Sequence, residues 1–480
     1  MSNAFSGLSI SQSAQLSEHL VAGEQAVTAG QHSEAARSLQ AAADLVPADL
    51  AIARMAAVAW QTAGSRHRAR EVLGRAVRLT DLSTLSDTTS YEVGAMCLDV
   101  GAPDLALACF SVTARLRPGN PALLGAMASA HRALGALDEA WRLADQAVSR
   151  DKKNPALLLT AAQVRHAQLR FDDALQWLKK AEAVRPLHSP TRMQRALTRL
   201  IRGPSRQGWE DFEHRGLPAL PAGSSWWRGE PLDGRSIRVV MEQGIGDLFH
   251  FVRYVPLLSE RGAGSVVVEA PEAAVSLLAA AGYSAIAAGT GAKQELCVPL
   301  LSLPWRLGDL SESDFSAPYI RIDNDSKPAD GLRAGLGGRG RVGLIAAGNP
   351  SFLATNLRDL DEATVEAILA IPGIDWVWLL PDRNPPKGFT GENPSLSHEW
   401  LNTALFMSQL DAIVSVDTAG AHLAGAMGIP VHVLLPYTPD WRWGGSGDRT
   451  PLYPSARLVR EASPASWASV LPELQALLGT

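Results

Sequence analysis

Four short runs in this 480-residue chain combine residue types that can do chemistry together. Glu242-Gln243-Gly244-Ile245-Gly246-Asp247-Leu248-Phe249-His250 places a carboxylate behind two glycines, with an imidazole about one helical turn further on. A carboxylate there stands at the open end of a strand, where a side chain can reach a bound ligand. Asp247 equally suits the start of a helix, where a carboxylate caps free amides, and spacing alone leaves both roles open. Asp417-Thr418-Ala419-Gly420-Ala421-His422 offers a capping pair followed by small residues, so the first amides of a helix lie open to a phosphate. Gly348-Asn349-Pro350 and the segment Pro436 to Trp443 are further turns. Trp441 and Trp443 in the latter either wall a pocket or pack in the interior.

These runs follow apolar, β-branched segments. Ile237 to Met241, Val266 to Glu269, Val342 to Ala347, Trp376 to Leu380, Ala412 to Val416 and Val431 to Leu435 read as buried strands alternating with helical stretches. That alternation predicts parallel sheets wrapped by helices. A Gly-, Asp- and Arg-rich stretch from Asn324 to Arg341 reads as a linker between two α/β lobes, 236–325 and 341–480. Open α/β sheets bind ligands at the carboxyl ends of their strands, so the four runs are expected to meet at a cleft between the lobes.

Ahead of this half the grammar is different. Ala35, Ala69, Ala106, Ala140 and Ala174 recur at intervals of 34, 37, 34 and 34 residues. Five residues before each stands Gly30, Gly64, Gly101 or Gly135, with Leu169 in the fifth copy. Seventeen residues after that position come Pro47, Pro118 and Pro186, with Asp81 and Lys152 in the other two copies. The Gly ends a first helix, the small Ala lets a second helix approach it, and the Pro stops that helix. The pattern resembles the tetratricopeptide repeat, of period about 34 residues. It predicts an α superhelical solenoid over 15–200, with a groove for extended peptides or a partner's helix. Residues 201–235, marked by Gly203-Pro204, Pro218, Pro221 and Gly223, read as a connecting segment, with Trp226 and Trp227 as the joint between the halves.

Composition narrows the class. With 46% hydrophobic and 19% charged residues and a net charge of −5, the chain supplies no positive field, and no nucleic-acid partner is expected. Three cysteines without a CxxC pair argue against a disulfide framework or a thiolate zinc site. The most apolar stretch, Ala273 to about Ala288, is interrupted by Ser276, Gly282 and Ser284 and falls short of a ~20-residue membrane span. The first twenty residues lack the basic-then-apolar order of a secretory signal, so a cytoplasmic protein is expected.

The run from Trp209 to Ala263, AAGNP at Ala346 to Pro350, SVDTAGAHLAGAMGIPV at Ser415 to Val431 and PYTPDWRW at Pro436 to Trp443 together resemble bacterial tetratricopeptide-repeat glycosyltransferases. Their catalytic half is similar to the heptosyltransferase-like family with the GT-B fold of two Rossmann-like lobes, and the layout is similar to repeat-fused protein O-glycosyltransferases and flagellin glycosyltransferases. The resemblance implies transfer of a sugar from a nucleotide-sugar to Ser or Thr hydroxyls of a polypeptide held by the repeats, with flagellin the leading acceptor. It implies Asp247 as general base, His250 as orienter or alternative base, and Gly348, Asn349, Arg358, Asp417, Thr418, Ala419, Gly420, Ala421 and His422 at the donor. A lipopolysaccharide or polysaccharide transferase whose repeats recruit a partner, and a non-catalytic scaffold, are the alternatives. The family carries a His and two Arg after GNP. Here residues 351–359 read SFLATNLRD and only Arg358 matches. Either Arg358 and the helix N-terminus suffice for a diphosphate, or the donor carries less phosphate charge, as a CMP-linked sugar does. Asp323-Asn324-Asp325 and Asp359-Leu360-Asp361 have the DxD form of a metal site but read as chance, the second as a helix start, so no metal or other cofactor is expected.

Overall fold

The computed structural model describes residues 7–291, 294–308, 318–322, 340–349, 355–396 and 398–479. Most of the expected linker, including Asp323, Asn324 and Asp325, lies outside the described residues, as do Pro350 and Ser351 to Ala354. The chain divides into two compact units. One runs to Gln168 and includes Asn349–Leu357; the other comprises Leu169–Gly348 and Arg358–Thr480.

The first unit is built from α1 (Ile10–Thr28), α2 (His32–Leu45), α3 (Leu50–Thr62), α4 (Arg66–Leu79), α5 (Asp87–Asp99), α6 (Pro103–Leu116), α7 (Pro121–Ala133), α8 (Leu137–Arg150) and α9 (Pro155–Ala167). Helices pack as successive pairs, α1 on α2, α3 on α4, α5 on α6 and α7 on α8. Each pair turns on Gly30, Gly64, Gly101 or Gly135, with φ between 71 and 79°, a region that an L side chain rarely enters. Ala35, Ala69, Ala106 and Ala140 are buried where the second helix crosses the first, and Leu39, Leu73 and Phe110 fill the space one turn later. Pro47 and Pro118 stand just past the ends of α2 and α6. The periodic positions thus act as turn, close contact and stop.

The fifth copy belongs to the second unit. Leu169 occupies the glycine's place with φ of 59°, and α10 (Phe171–Val184) buries Ala174 and Leu178. α11 (Ser189–Leu200) and α12 (Arg206–Phe212) follow, tied by Arg195 and Arg199 to the buried Asp211. The repeat pattern read to residue 200 therefore crosses the division at Gln168. Periodicity reports local helix pairs, whereas side-chain packing decides which unit a pair joins.

Two five-stranded sheets complete the second unit. β1 (Ser225–Trp226), β2 (Ser236–Val240), β3 (Ser265–Ala270), β4 (Ala285–Ala287) and β5 (Leu296–Pro299) form the first, in the order β1-β5-β2-β3-β4. β6 (Gly340–Ile345), β7 (Ile374–Trp378), β8 (Ala412–Val416), β9 (Val431–Leu435) and β10 (Ala456–Arg460) form the second, in the order β10-β9-β8-β6-β7. All named pairings are parallel. All six strands read from the sequence are present, within a few residues.

The lobe boundary at 236 needs correction, because β1 pairs Ser225 with Leu296 and Trp226 with Cys297. A two-residue strand is too short to show a period. Trp226 thus belongs to the first sheet, and the fully buried Trp227 beside it donates its indole N–H to the Glu230 carbonyl at 2.7 Å. Helices α13 (Ile245–Phe251), α14 (Pro256–Glu260), α15 (Glu272–Ala280) and α16 (Leu303–Leu307) lie between or after the strands of the first sheet. α18 (Glu362–Leu369), α19 (Trp400–Met407), α20 (Ala419–Met427) and α21 (Leu471–Leu478) accompany the second, and α17 (Thr355–Arg358) spans the division at Leu357. Strand order reverses beside β2 in one sheet and between β6 and β8 in the other, the places where open α/β sheets leave a crevice. Those strands lead into the runs at Glu242, Gly348 and Asp417.

All three cysteines are free and buried. No helix among the described residues is long and apolar enough to cross a membrane.

His432 on β9 is buried, and burial pushes its imidazolium pKa down to about 4. Unfolded, it titrates near 6.5, so the unfolded chain binds the extra proton and stability is lost as pH falls from about 6.5 toward 4, by up to about 3 kcal/mol. His432→Leu is expected to flatten the pH dependence of urea unfolding across that window. An unchanged slope would show that His432 does not contribute to it.

Candidate functional site

The first candidate turn is anchored by a buried ion-pair network. After β2, the buried Glu242 accepts two hydrogen bonds from Arg215, at 2.9 and 2.6 Å, and one from the Leu301 amide at 2.9 Å. Arg215 also meets Glu213 at 2.8 Å, and Glu213 in turn pairs with Arg306 at 3.0 Å. The Arg215 side chain is 1% exposed, so each charge in this network depends on its partners. Gln243 then adopts a left-handed φ of 59°. Gln243→Gly is expected to raise stability by about 0.5–1 kcal/mol, the left-handed strain relieved less the extra backbone entropy of glycine. Urea unfolding checks this.

Asp247 does cap its helix. Its Oδ2 accepts the Gly244 N–H at 3.0 Å. Its Oδ1 forms an ion pair with Arg442, which leaves the loop after β9 and is also held by Asp440 at 2.8 Å. Burial opposes the Arg442 charge, but Asp247 and Asp440 outweigh it and hold the guanidinium protonated. The first sheet's carboxylate is therefore fixed by a cation from the second. Gly246 permits the contact: a Cβ there would lie 3.2 Å from the His422 ring and 3.4 Å from Ala419 Cα, where α13 meets α20. His250 is buried, and burial followed by the neighbouring Arg253, His422 and Arg442 depresses its pKa well below 6.5, leaving a neutral imidazole.

In the second sheet, the Gly348 amide donates to Asp359 Oδ1 at 2.9 Å, and the Leu360 amide to the Ala346 carbonyl at 3.0 Å. Asp359 also pairs with Arg383 at 2.9 Å. Asp361 caps α18 through the Thr364 amide at 2.8 Å. Both acids of the Asp359-Leu360-Asp361 triplet are thus engaged in backbone contacts. The Arg358 guanidinium lies against the Gly348 backbone, and Asn349 is exposed beyond it in the chain.

Thr418 caps α20, its Oγ1 facing the Ala421 amide at 3.4 Å. The amides of Ala419 and Gly420 have no partner inside the helix, whereas that of Ala421 faces the cap. Gly420 and Ala421 are themselves buried. His422 departs from a donor-binding role. Its Nδ1 meets the Tyr453 hydroxyl at 2.9 Å, its Nε2 faces Asp417 Oδ1 at 3.6 Å, and its ring stacks on Trp443 at 4.8 Å. Both ring nitrogens are turned to the protein, because its position on α20 points inward. Burial would raise the Asp417 carboxyl, but His422 and the nearby Arg358 outweigh it and hold the carboxyl below its usual range. Asp417 is thereby a fixed negative charge.

The structure brings Asp247, His250, Arg358, Gly348 and the 417–422 run to facing ends of the two sheets. Trp441 and Trp443 are buried and line a cavity of about 1230 Å³. Arg442, Arg215 and Tyr453 were not singled out by sequence reasoning, because the partners that tie them to these turns, Asp247, Glu242 and His422, lie 195, 27 and 31 residues away; Asp440 holds Arg442 from two residues away.

In the first unit, a groove of about 840 Å³ runs over α1, α2, α3 and α5, lined by Val27, Leu39, Met55, Val58 and Met96. Val27 and Val58 are exposed. The paired helices, left-handed glycines and 34-residue spacing have the organisation of a tetratricopeptide-like repeat. Solved structures of tetratricopeptide-repeat proteins are similar to part of the chain. MamA from Desulfovibrio magneticus is 17% identical, over 35% of this chain and 94% of that one, with a TM-score of 0.28. A tetratricopeptide repeat protein from Parabacteroides merdae is 17% identical over 42% of this chain and 78% of that one, with a TM-score of 0.32. YrrB, described as a TPR protein with an unusual peptide-binding site, is 16% identical over 36% and 88%, with a TM-score of 0.28. No family model and no curated protein matches the chain.

Proposed function

We propose that the second unit is a GT-B glycosyltransferase of the heptosyltransferase-like kind, moving a sugar from a nucleotide-linked donor to a Ser or Thr hydroxyl of a polypeptide. The observation that supports this best is the meeting of α13 and α20 at Gly246, Ala419 and His422, which sets a carboxylate from one sheet opposite open helix amides from the other. In this reading the acceptor oxygen bonds to the anomeric carbon as the bond to the donor phosphate breaks. The hydroxyl proton passes to Asp247, held in position by Arg442 and the Gly244 amide. The departing phosphate gains its hydrogen bonds from the Ala419 and Gly420 amides and the Arg358 guanidinium. Asp417, paired with His422, keeps the turn in place and does not contact the donor.

The groove of the first unit is the proposed seat of the polypeptide, since its exposed valines and methionines offer apolar area to an extended chain or a helix. Flagellin is the acceptor to test first.

Isothermal titration with CMP, UDP, GDP and ADP tests the donor site. With Arg358 the one family-matching cation after β6, CMP is expected to bind at least as tightly as the diphosphates, and Arg358→Ala to weaken binding about tenfold, the worth of a hydrogen bond to a charged group. A clear preference for a diphosphate would turn the reading away from CMP-linked sugars; no binding by any of the four would remove the transferase. Turnover is expected to survive EDTA.

A further inference from the structure

The cavity of about 1230 Å³ in the second unit has a one-sided charge. Seven arginines line it, and its described lining contains no Asp, Glu or Lys. Arg202, Arg206, Arg228, Arg261 and Arg449 are exposed, while Arg306 and Arg442 are half-buried. They come from three separate stretches, 202–206, 228–306 and 442–449, so the positive surface is assembled by the fold within a chain whose net charge is −5. Arg202, Arg306 and Arg442 are paired with Asp172, Glu213 and Asp247, which lie outside the lining, whereas among the described residues Arg206, Arg228 and Arg449 have no carboxylate partner. Unpaired guanidiniums gathered around one space repel each other, a cost that an anionic occupant would remove.

We propose that this cavity binds an acidic segment of a polypeptide, presenting the chain to the site at Asp247. Three observations choose that class. First, the volume exceeds the roughly 300–1000 Å³ of ordinary small-ligand sites, which suits several residues of an extended chain. Second, none of Gly348, Arg358, Thr418, Ala419 and Gly420 lines the cavity, whereas His250 and Arg442 do, and Arg442 binds Asp247. The cavity therefore reaches the arginine that pairs with the proposed base, and none of those proposed donor residues lines it. Third, its aromatics are not platforms for nucleic-acid bases. Trp209, Trp441 and Trp443 are buried, with Trp209 edge-on to Trp441 at 5.5 Å, and Arg206 lies over Trp305 at 5.4 Å. Carboxylates are what remain for the guanidinium forks to bind, in the bidentate manner that Arg favours over Lys. As recognition of the acceptor this rests on the transferase reading; as peptide binding it does not.

Fluorescence anisotropy of the full chain with short labelled peptides tests it. A peptide of alternating Glu and Ser is expected to bind more tightly than Ala-Ser and Lys-Ser peptides of equal length, and to weaken as salt rises. The triple variant Arg206→Glu, Arg228→Glu, Arg449→Glu changes exposed side chains and is expected to weaken the acidic peptide by about tenfold or more, with unchanged thermal unfolding. Equal binding of all three peptides, or an acidic peptide indifferent to the triple variant, would overturn the proposal. So would a single-stranded oligonucleotide that bound more tightly than the peptide and was lost in the same variant. Peptide binding that follows these expectations in a protein that binds no nucleotide upholds the cavity and removes only the transferase reading. Nucleotide binding without acidic-peptide preference does the reverse.

Discussion

Asp247→Asn is expected to lower sugar transfer by about two to four orders of magnitude, the range for losing a positioned general base. The amide keeps the shape of the carboxylate and can still accept the Gly244 N–H, so α13 retains its cap. What it loses is the capacity to hold a proton and the charge facing Arg442. Because Arg442 keeps Asp440 as a partner, the folded state should weaken by only about 1–3 kcal/mol. Nucleotide affinity should not change, since the proposed donor contacts belong to the other sheet. Transfer assayed by mass spectrometry of the acceptor, beside titration of the nucleotide, separates these effects. Transfer at the wild-type rate would exclude Asp247 as the base, and a cellular phenotype indifferent to the substitution would favour a scaffold.

Arg215→Met is expected to be the more damaging change to the fold. It leaves Glu242, with 5% of its side chain exposed, facing an apolar group in place of a bidentate guanidinium. Removing one member of a buried ion pair costs about 3–5 kcal/mol, because the remaining charge is stranded. Glu213 retains Arg306 and suffers less. Adding Glu242→Gln to Arg215→Met should therefore recover part of the loss, and the coupling between the two positions is the quantity to measure by urea unfolding. The turn from Glu242 to Gly244 is moored by this network, so Arg215→Met should also depress transfer in protein that is still folded. A cost under about 1 kcal/mol would show that water already screens the pair.

These two residues differ in how visible they are in the sequence. Asp247 stands out because a GxGD turn after an apolar strand has a local signature. Arg215 does not, because its importance comes from Glu242, 27 residues away, and from Ser302, 87 residues away. The same contrast runs through the site. The cap by Asp361 was legible from its place before a helix. The opposing arginine of Asp247, 195 residues distant, was not. His422 illustrates a nearer limit: its position beside open amides suggested a hydrogen bond to the donor, but the helix turns its ring inward onto Trp443.

The repeats, the six longer strands and the turns that follow them were determined by the sequence alone, because periodicity, β-branching and turn residues act over a few neighbours. The tertiary structure decided which charges meet, where the second unit begins, that short strands such as β1 complete a sheet, and that seven scattered arginines face one cavity. Those outcomes depend on burial and on pairings between distant segments, where a charge has meaning only through the group the fold sets against it.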